Sequence, residues 1–279
     1  MSSLQEQFKL YIPPFIWNTA RTTWYGLQRT AQWPAATFHP WRRISMQNLQ
    51  KYKDKHQGER CFIIGNGPSL KKTNLSQLKG EYTFGMNRIY LLFPELGFTT
   101  TYFLSVNDLV IEQCAQDILA LQMPKFLGWR SRGFIHQTLE NKTLPSDPPL
   151  SFLFTTYSGP KFARDAGERI WEGATVTYVA LQLAFHMGFN QAVLIGVDHN
   201  FTTSGKPNTT IVSQGDDPDH FDQQYFGKGF RWQLPDLETS ERAYRMALQN
   251  YGSAKREILD ATVGGRLTIF PKVDYNSLF

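Results

Sequence analysis

The chain has 279 residues, 41% hydrophobic and 19% charged, with a net charge of +5. This composition excludes a largely disordered chain, and with no apolar run of roughly 18 residues it excludes a helical membrane span. Two cysteines, Cys61 and Cys114, are too few for a disulfide scaffold or a cysteine zinc site and suit a reducing, cytoplasmic setting.

Residues 1–57 read as a basic, aromatic N-terminal arm, without the charged and apolar regions of a signal peptide. Residues 1–60 hold nine basic and three acidic residues, a local charge of +6 that leaves −1 for the remainder. Four of the seven tryptophans (Trp17, Trp24, Trp33, Trp41) lie here, and no acid falls between Glu6 and Asp54. Residues 9–53 suit an anionic membrane surface, since tryptophans settle at the headgroup level while arginines meet phosphates. The arm equally suits packing its aromatics on the main domain or on a partner copy in a homo-oligomer. Pro13, Pro14, Pro34 and Pro40 keep any helix short. Nucleic acid is not an expected partner, because the basic residues are spaced by apolar ones and no binding motif follows.

Residues 50–60 are polar and read as a linker. A second unit, 58–279, then alternates strands and helices. Strands are expected at Cys61–Ile64, Tyr82–Met86, Thr101–Val106, Lys125–Trp129, Ser151–Thr155, Ala192–Val197 and Arg256–Asp260. Helices are expected at Leu109–Leu121, Ala174–Met187 and Thr239–Tyr251. Val176, Val179, Ala180, Leu183, Ala184 and Met187 follow helical spacing, and Gly188 stands where a terminating glycine belongs. The alternation predicts an α/β fold: a Rossmann-like, mostly parallel sheet with helices on both faces. Residues 199–235 break the rhythm and read as a long lid loop with no regular element.

Chemistry concentrates at strand ends. Ile63-Ile64-Gly65-Asn66-Gly67-Pro68-Ser69-Leu70 follows a strand, and its glycines let a backbone approach a phosphate while Ser69 Oγ donates. It is neither the dinucleotide fingerprint nor a P-loop, and a plain tight turn has the same pattern. Leu194-Ile195-Gly196-Val197-Asp198 places an acid on the ligand edge of the sheet. It suits a ribose hydroxyl, a base amine or a metal, or equally a loop anchor. Asn66, Asn87 and Asn107 end successive strands and form one polar crevice if they converge. The lid supplies His199, His220, Tyr225, Lys228 and Arg231, with Asp216, Asp217 and Asp219. His186, on an apolar helix, reads as structural.

These blocks resemble a known family. Gly65 to Leu70 is similar to the opening motif of small bacterial CMP-sialic-acid-dependent sialyltransferases, and Thr175 through Gly188 to Asp198 is similar to their second half. The same blocks, over residues 58–275, resemble domain of unknown function 115, also labelled 6-hydroxymethylpterin diphosphokinase MptE-like. Within that group the chain looks most like members associated with bacterial surface polysaccharide synthesis. The resemblance implies that Gly65, Asn66, Gly67, Ser69, Asn87 and Asn107 hold a nucleotide's phosphate and sugar. It implies that Asp198 holds the nucleoside and that Thr175 and Thr177 contact it.

Two departures stand out. Asn200 replaces a family tyrosine, and Lys228 takes the place of the catalytic histidine after Tyr225-Phe226-Gly227. A charged lysine is a poor base, so His220 or His199 is the expected base, with Lys228, Tyr225 or Arg231 neutralising the departing phosphate. The resemblance thus implies a glycosyltransferase with a nucleotide-sugar donor and a glycan or glycolipid acceptor, needing no cofactor. It would work in the cytoplasm or peripherally on the inner face of the membrane. The alternatives are a pyrophosphokinase using ATP and magnesium, with Asp198 and Asp216, Asp217 or Asp219 as ligands, and a non-catalytic nucleotide-binding subunit.

Overall fold

The computed structural model describes residues 36–140, 142–157 and 159–279, together with Thr23, Trp33 and Pro34. Trp17 and Trp24, with Lys9, Arg21 and Arg29, lie outside the described residues.

Helix α1 (Pro40–Tyr52) is started by His39, whose Nδ1 accepts from Trp41 N at 3.1 Å. Pro40 opens the helix, where its missing N–H costs nothing. β1 (Arg60–Ile64), β2 (Tyr82–Met86), α2 (Phe93–Leu96), β3 (Tyr102–Ser105), α3 (Asp108–Ala120), β4 (Lys125–Gly128), α4 (Arg132–Thr138), β5 (Leu150–Thr156), β6 (Arg169–Trp171), α5 (Val176–His186) and β7 (Gln191–Ile195) follow in order. Then come β8 (Thr210–Val212), β9 (Arg231–Gln233), α6 (Leu237–Ser253) and β10 (Glu257–Asp260).

One eight-stranded sheet runs in the order β10-β7-β1-β2-β3-β4-β5-β6. Every pairing between its strands is parallel. Such a sheet is covered on both faces, so its strands are apolar on both sides. Phe62, Ile63 and Ile64 of β1 are indeed all inaccessible to solvent. One face packs against α1, α5 and α6, and the other against α3, α4 and the aromatic residues Phe221, Tyr225, Phe226 and Trp232. The Rossmann-like α/β reading is therefore the observed fold. From β1 the chain steps outward through β2 to β6, then α5 carries it back to β7 on the other side of β1. The β1–β7 boundary is thus the topological switch point, where ligands bind in such sheets.

α5 is buried on nearly every side, from Thr177 through His186. Each fully buried Leu or Val there contributes about 1.5–3 kcal/mol relative to exposure. Gly188 follows with φ +95. His186 is structural, as expected: it is buried, and Nε2 meets Leu49 O at 3.0 Å, tying α5 to α1.

Two expectations need correction. Residues 50–60 are not a polar linker. They include the last turn of α1, and His56 is buried between Glu59 Oε2 and Tyr102 Oη, each at 2.6 Å, with its ring stacked on Phe189. The lid is also not free of regular structure, because β8 and β9 form an antiparallel hairpin. A three-residue strand with half its side chains exposed carries too short an apolar alternation to be read from the pattern.

The described part of the arm packs on the domain. β6 pairs only with the second half of β5, and α1 covers the open edge of the first half. Phe152 N donates to Ser45 Oγ at 2.8 Å, and Arg42 donates to Phe152 O and to Gly167 O. Trp41 lies parallel to the Phe152 ring at 5.8 Å. Burial pulls the Arg42 guanidinium down to about 10. Closing an open strand edge in this way satisfies its N–H and C=O groups and prevents pairing with another chain.

Candidate functional site

The glycine-rich turn after β1 and the Gly196-Val197-Asp198 segment after β7 are laced together. Gly65 N donates to Ile195 O at 2.7 Å and Gly67 N to Gly196 O at 2.9 Å. The approach is too close for any side chain. A Cβ on Gly65 would lie 2.2 Å from Gly196 O, and one on Gly67 1.8 Å from Asp198 Oδ2. The glycines are required by packing between two central strands. This explains the motif without a phosphate, while also leaving the turn open on its outer side.

That outer side borders a cavity of about 160 Å³ at the switch point. It brings together Gly65, Asn66, Gly67, Asn87, Thr175, Thr177, Asp198, His199 and His220 from the expected set. Thr175 caps α5, accepting from Thr177 N at 3.3 Å, and its hydroxyl lies 3.3 Å from Tyr244 Oη. Asn87, held at φ +53, accepts from Ser105 Oγ at 2.9 Å. Asn66 Oδ1 is buried without a donor, which leaves an acceptor in the cradle for a ligand hydroxyl or amine.

Asp198 has a structural task of its own. Its carboxylate accepts from Ser69 N at 3.1 Å and Ser69 Oγ at 2.7 Å. Burial raises its pKa above the ordinary carboxylate value, against the lowering effect of those two bonds. Ser69 therefore stands behind Asp198 rather than in the cavity wall.

The remaining residues are placed elsewhere. Asn107 does not converge with Asn66 and Asn87, because its side chain caps α3 by accepting from Leu109 N and Val110 N. An asparagine one residue ahead of a helix is a preferred cap, and here that use prevails. Lys228 is exposed and is not among the lining residues. Arg231 pairs with Glu112 at 3.0 Å on the outer surface of the hairpin. Tyr225 is fully buried, its Oη accepting from Arg88 N at 3.3 Å. No lysine or arginine is among the described residues lining the cavity.

The two histidines differ. His199 Nε2 is 3.2 Å from the half-buried Glu241. His220 lies parallel to the Tyr225 ring, with centroids 4.1 Å apart. Its Nδ1 is 2.8 Å from Oδ2 of the buried Asp217. Asp217 is itself fixed by the amides of Asp219 at 2.9 Å and Phe226 at 3.1 Å. Acting as acceptor, it sets the Nδ1–H form, and Nε2 is engaged by no described residue. A carboxylate–imidazole pair of this kind orients a general base.

Sequence reasoning missed two residues. Asp217 is expected from the sequence only as a magnesium ligand, not as the partner of His220, and nothing local distinguishes it from exposed Asp216. Arg88 donates to Gln224 O at 2.9 Å and also to Tyr225 O, clamping the lid to the end of β2. Its position directly after Asn87 was the available signal.

Magnesium finds no prepared ligand set. Among the described residues no group of three His, Cys, Asp or Glu side chains is placed to hold an ion. Of the cavity carboxylates, Asp198 is engaged by Ser69, Asp219 by Thr202 and Thr203, and Asp236 by Thr239 N. Asp216 and Asp217 do not line the cavity.

A sequence model of one family, described as 6-hydroxymethylpterin diphosphokinase MptE-like, matches residues 38–204. Comparison with curated proteins finds no match. The matched stretch contains α1, the glycine-rich turn and Asp198, and ends at the start of the lid.

Proposed function

The chain belongs to the 6-hydroxymethylpterin diphosphokinase MptE-like family, and on that premise we propose that it is a nucleotide-dependent transferase acting in the β1–β7 cavity. The finer reading is glycosyl transfer from a nucleotide-activated sugar, CMP-linked by its resemblance to sialyltransferases, to a glycan or glycolipid acceptor of surface polysaccharide assembly. One observation carries it: Gly65–Gly67, Asn87, Thr175, Thr177 and Asp198 surround the same space, with His220 in its wall.

In this reading the nucleotide lies along the glycine turn. Asn66 and Asn87 bind the sugar–phosphate, and Thr175 and Thr177 meet the nucleoside. His220 Nε2 takes the proton from the acceptor hydroxyl as the bond to the anomeric carbon forms. Asp217 keeps the opposite nitrogen protonated and stabilises the imidazolium. The leaving nucleotide phosphate is met by hydroxyl and amide donors, because Lys228 and Arg231 are not in the cavity wall. The lid excludes water, which would otherwise hydrolyse the donor.

The pyrophosphokinase reading requires ATP and magnesium. Magnesium is commonly held by one or two carboxylates plus substrate phosphates. Asp198 or Asp219 would have to release its present partners to serve, so no step is assigned through the ion. The non-catalytic reading predicts nucleotide binding without turnover.

A thermal-shift titration with CMP, CDP, UDP, GDP, AMP and ATP, each with and without magnesium, separates the first two, and turnover of the bound nucleotide separates the third. A native-state ligand at a hundredfold excess over its Kd adds about 2.7 kcal/mol of stability. A metal-independent shift with CMP is the expected result. A magnesium-dependent shift with ATP or AMP would replace glycosyl transfer by the kinase reading. No shift with any nucleotide would overturn all three readings.

A further inference from the structure

α1 has two faces of different chemistry. Trp41, Arg42, Ser45, Asn48, Leu49 and Tyr52 turn inward against the domain. The outward face carries Arg43, Ile44, Met46, Gln47, Gln50 and Lys51, all exposed. Ile44 and Met46 are 40% and 46% exposed. Just before α1, Trp33 and Phe38 are 53% and 71% exposed, with their rings edge to face at 6.2 Å. Trp33 and Phe38 add exposed rings at the entry to α1, while Ile44 and Met46, two positions apart on the helix, border its polar outer face from opposite sides.

The charge of this segment has one sign. No acidic residue occurs from Gln7 to Lys53, and neither Arg43 nor Lys51 forms an ion pair with a described residue. Exposed aromatic and aliphatic side chains interleaved with cations match a bilayer interface, where rings and methylenes enter the headgroup layer and cations meet lipid phosphates. A second copy of this chain fits less well. A two-fold interface sets the same patch against itself, which here would place cation against cation with no acid in reply.

We propose that Trp33, Phe38, Ile44 and Met46, with Arg43 and Lys51, form a docking surface for an anionic lipid bilayer. The surface is separate from the cavity and does not depend on which group is transferred. Since α1 is bonded to β5, docking through its outer face holds the catalytic domain itself at the membrane rather than on a loose tether. A lipid-linked acceptor would then be met at the surface.

The test is co-sedimentation of the full chain with vesicles of phosphatidylcholine alone and with a third phosphatidylglycerol. The variants are W33S/F38S and R43E/K51E. Their positions are exposed, so thermal midpoints are expected to match the parent and exclude misfolding. The parent is expected to bind the anionic vesicles, less so at 0.5 M salt, and each double variant to lose at least about tenfold in affinity. Parent protein left in the supernatant at both compositions would overturn the proposal. So would unchanged binding by both variants, which would move any lipid contact elsewhere. A concentration-dependent dimer that either variant abolishes, without vesicle binding by the parent, would assign the face to a second copy.

Discussion

The glycine cradle and the lid enclose the same cavity but are held by different means. The cradle is fixed by main-chain hydrogen bonds between loops that continue two central strands, and its side chains are mostly absent by necessity. The lid is fixed by side chains. Asp219 accepts from Thr202 N at 2.6 Å and from the hydroxyls of Thr202 and Thr203, Asp217 gathers His220 and two amides, and Arg88 clamps Gln224 and Tyr225. A single main-chain bond, Phe221 N to Asn66 O at 2.9 Å, joins the two. Local opening is easiest where few main-chain ladders cross. On the proposed function, the cradle is the fixed half that binds nucleotide, and the lid is the half that opens and returns His220 to the cavity.

The largest test of this division is His220→Ala. As general base His220 is expected to contribute about 10²–10⁴ in kcat, while CMP still produces its full thermal shift because the cradle is intact. Asp217→Asn should lower kcat as well, since the imidazole loses the acceptor that orients it, again with the nucleotide shift retained. Equal loss of nucleotide affinity and turnover in His220→Ala would break the division, placing His220 with the binding half.

Gly67→Ala works from the other side. A methyl 1.8 Å from Asp198 Oδ2 must push β1 and β7 apart or displace Asp198 from Ser69. Overpacking of this kind costs about 1–3 kcal/mol. A lowered thermal midpoint and abolished nucleotide shift are expected together. Asp219→Ala leaves the backbone amide of Thr202 without its acceptor, a local cost of about 1–3 kcal/mol. Its expected reading is faster limited proteolysis within 199–235 at a nearly unchanged global midpoint. A collapse of the midpoint instead would show that the lid is part of the cooperative core.

The same contrast explains what was legible in the sequence. The cradle could be read because its determinants are local: two glycines behind an apolar strand, and a Gly-x-Asp behind another, each recognisable in isolation. Seven of the sheet's eight strands were legible for the same reason, as short apolar runs between turn residues, whereas the three-residue edge strand β6 is too short to stand out. The lid was not, because Asp217 and Asp216 are neighbours of one type and only the folded lid buries the first, against His220 and the amides of Asp219 and Phe226. Lys228 was weighed for catalysis because of where it falls in a motif, whereas its side chain points to solvent. Asn107 was misjudged because an asparagine at a strand end and one ahead of a helix are the same residue here, and the helix takes it. The segment 50–60 looked like a linker because His56 and Glu59 are polar, yet their partners Tyr102 and Phe189 arrive from distant strands.

The smallest effect sharpens the comparison most, because it concerns a cradle residue whose side chain also holds the turn together. Burial holds the Asp198 pKa above its unfolded value of 3.8. The native state therefore binds this proton more tightly than the unfolded chain. The stability linked to it is present at low pH and is lost as pH rises through the raised native value, so at pH 7 the charge is carried at a cost. Asp198→Asn removes the charge and keeps the shape: its carbonyl oxygen accepts from Ser69 N and its amide donates to Ser69 Oγ. The midpoint at pH 7 is expected to hold or rise by a degree or two, whereas Asp198→Ala, leaving Ser69 N unanswered, should lower it. If the carboxylate also receives a nucleoside hydroxyl or amine, Asp198→Asn loses about tenfold in CMP affinity by calorimetry despite its intact fold, since an acceptor oxygen has become a donor. Parent-like affinity would reduce Asp198 to the staple of the turn and leave nucleoside recognition to Asn66, Thr175 and Thr177.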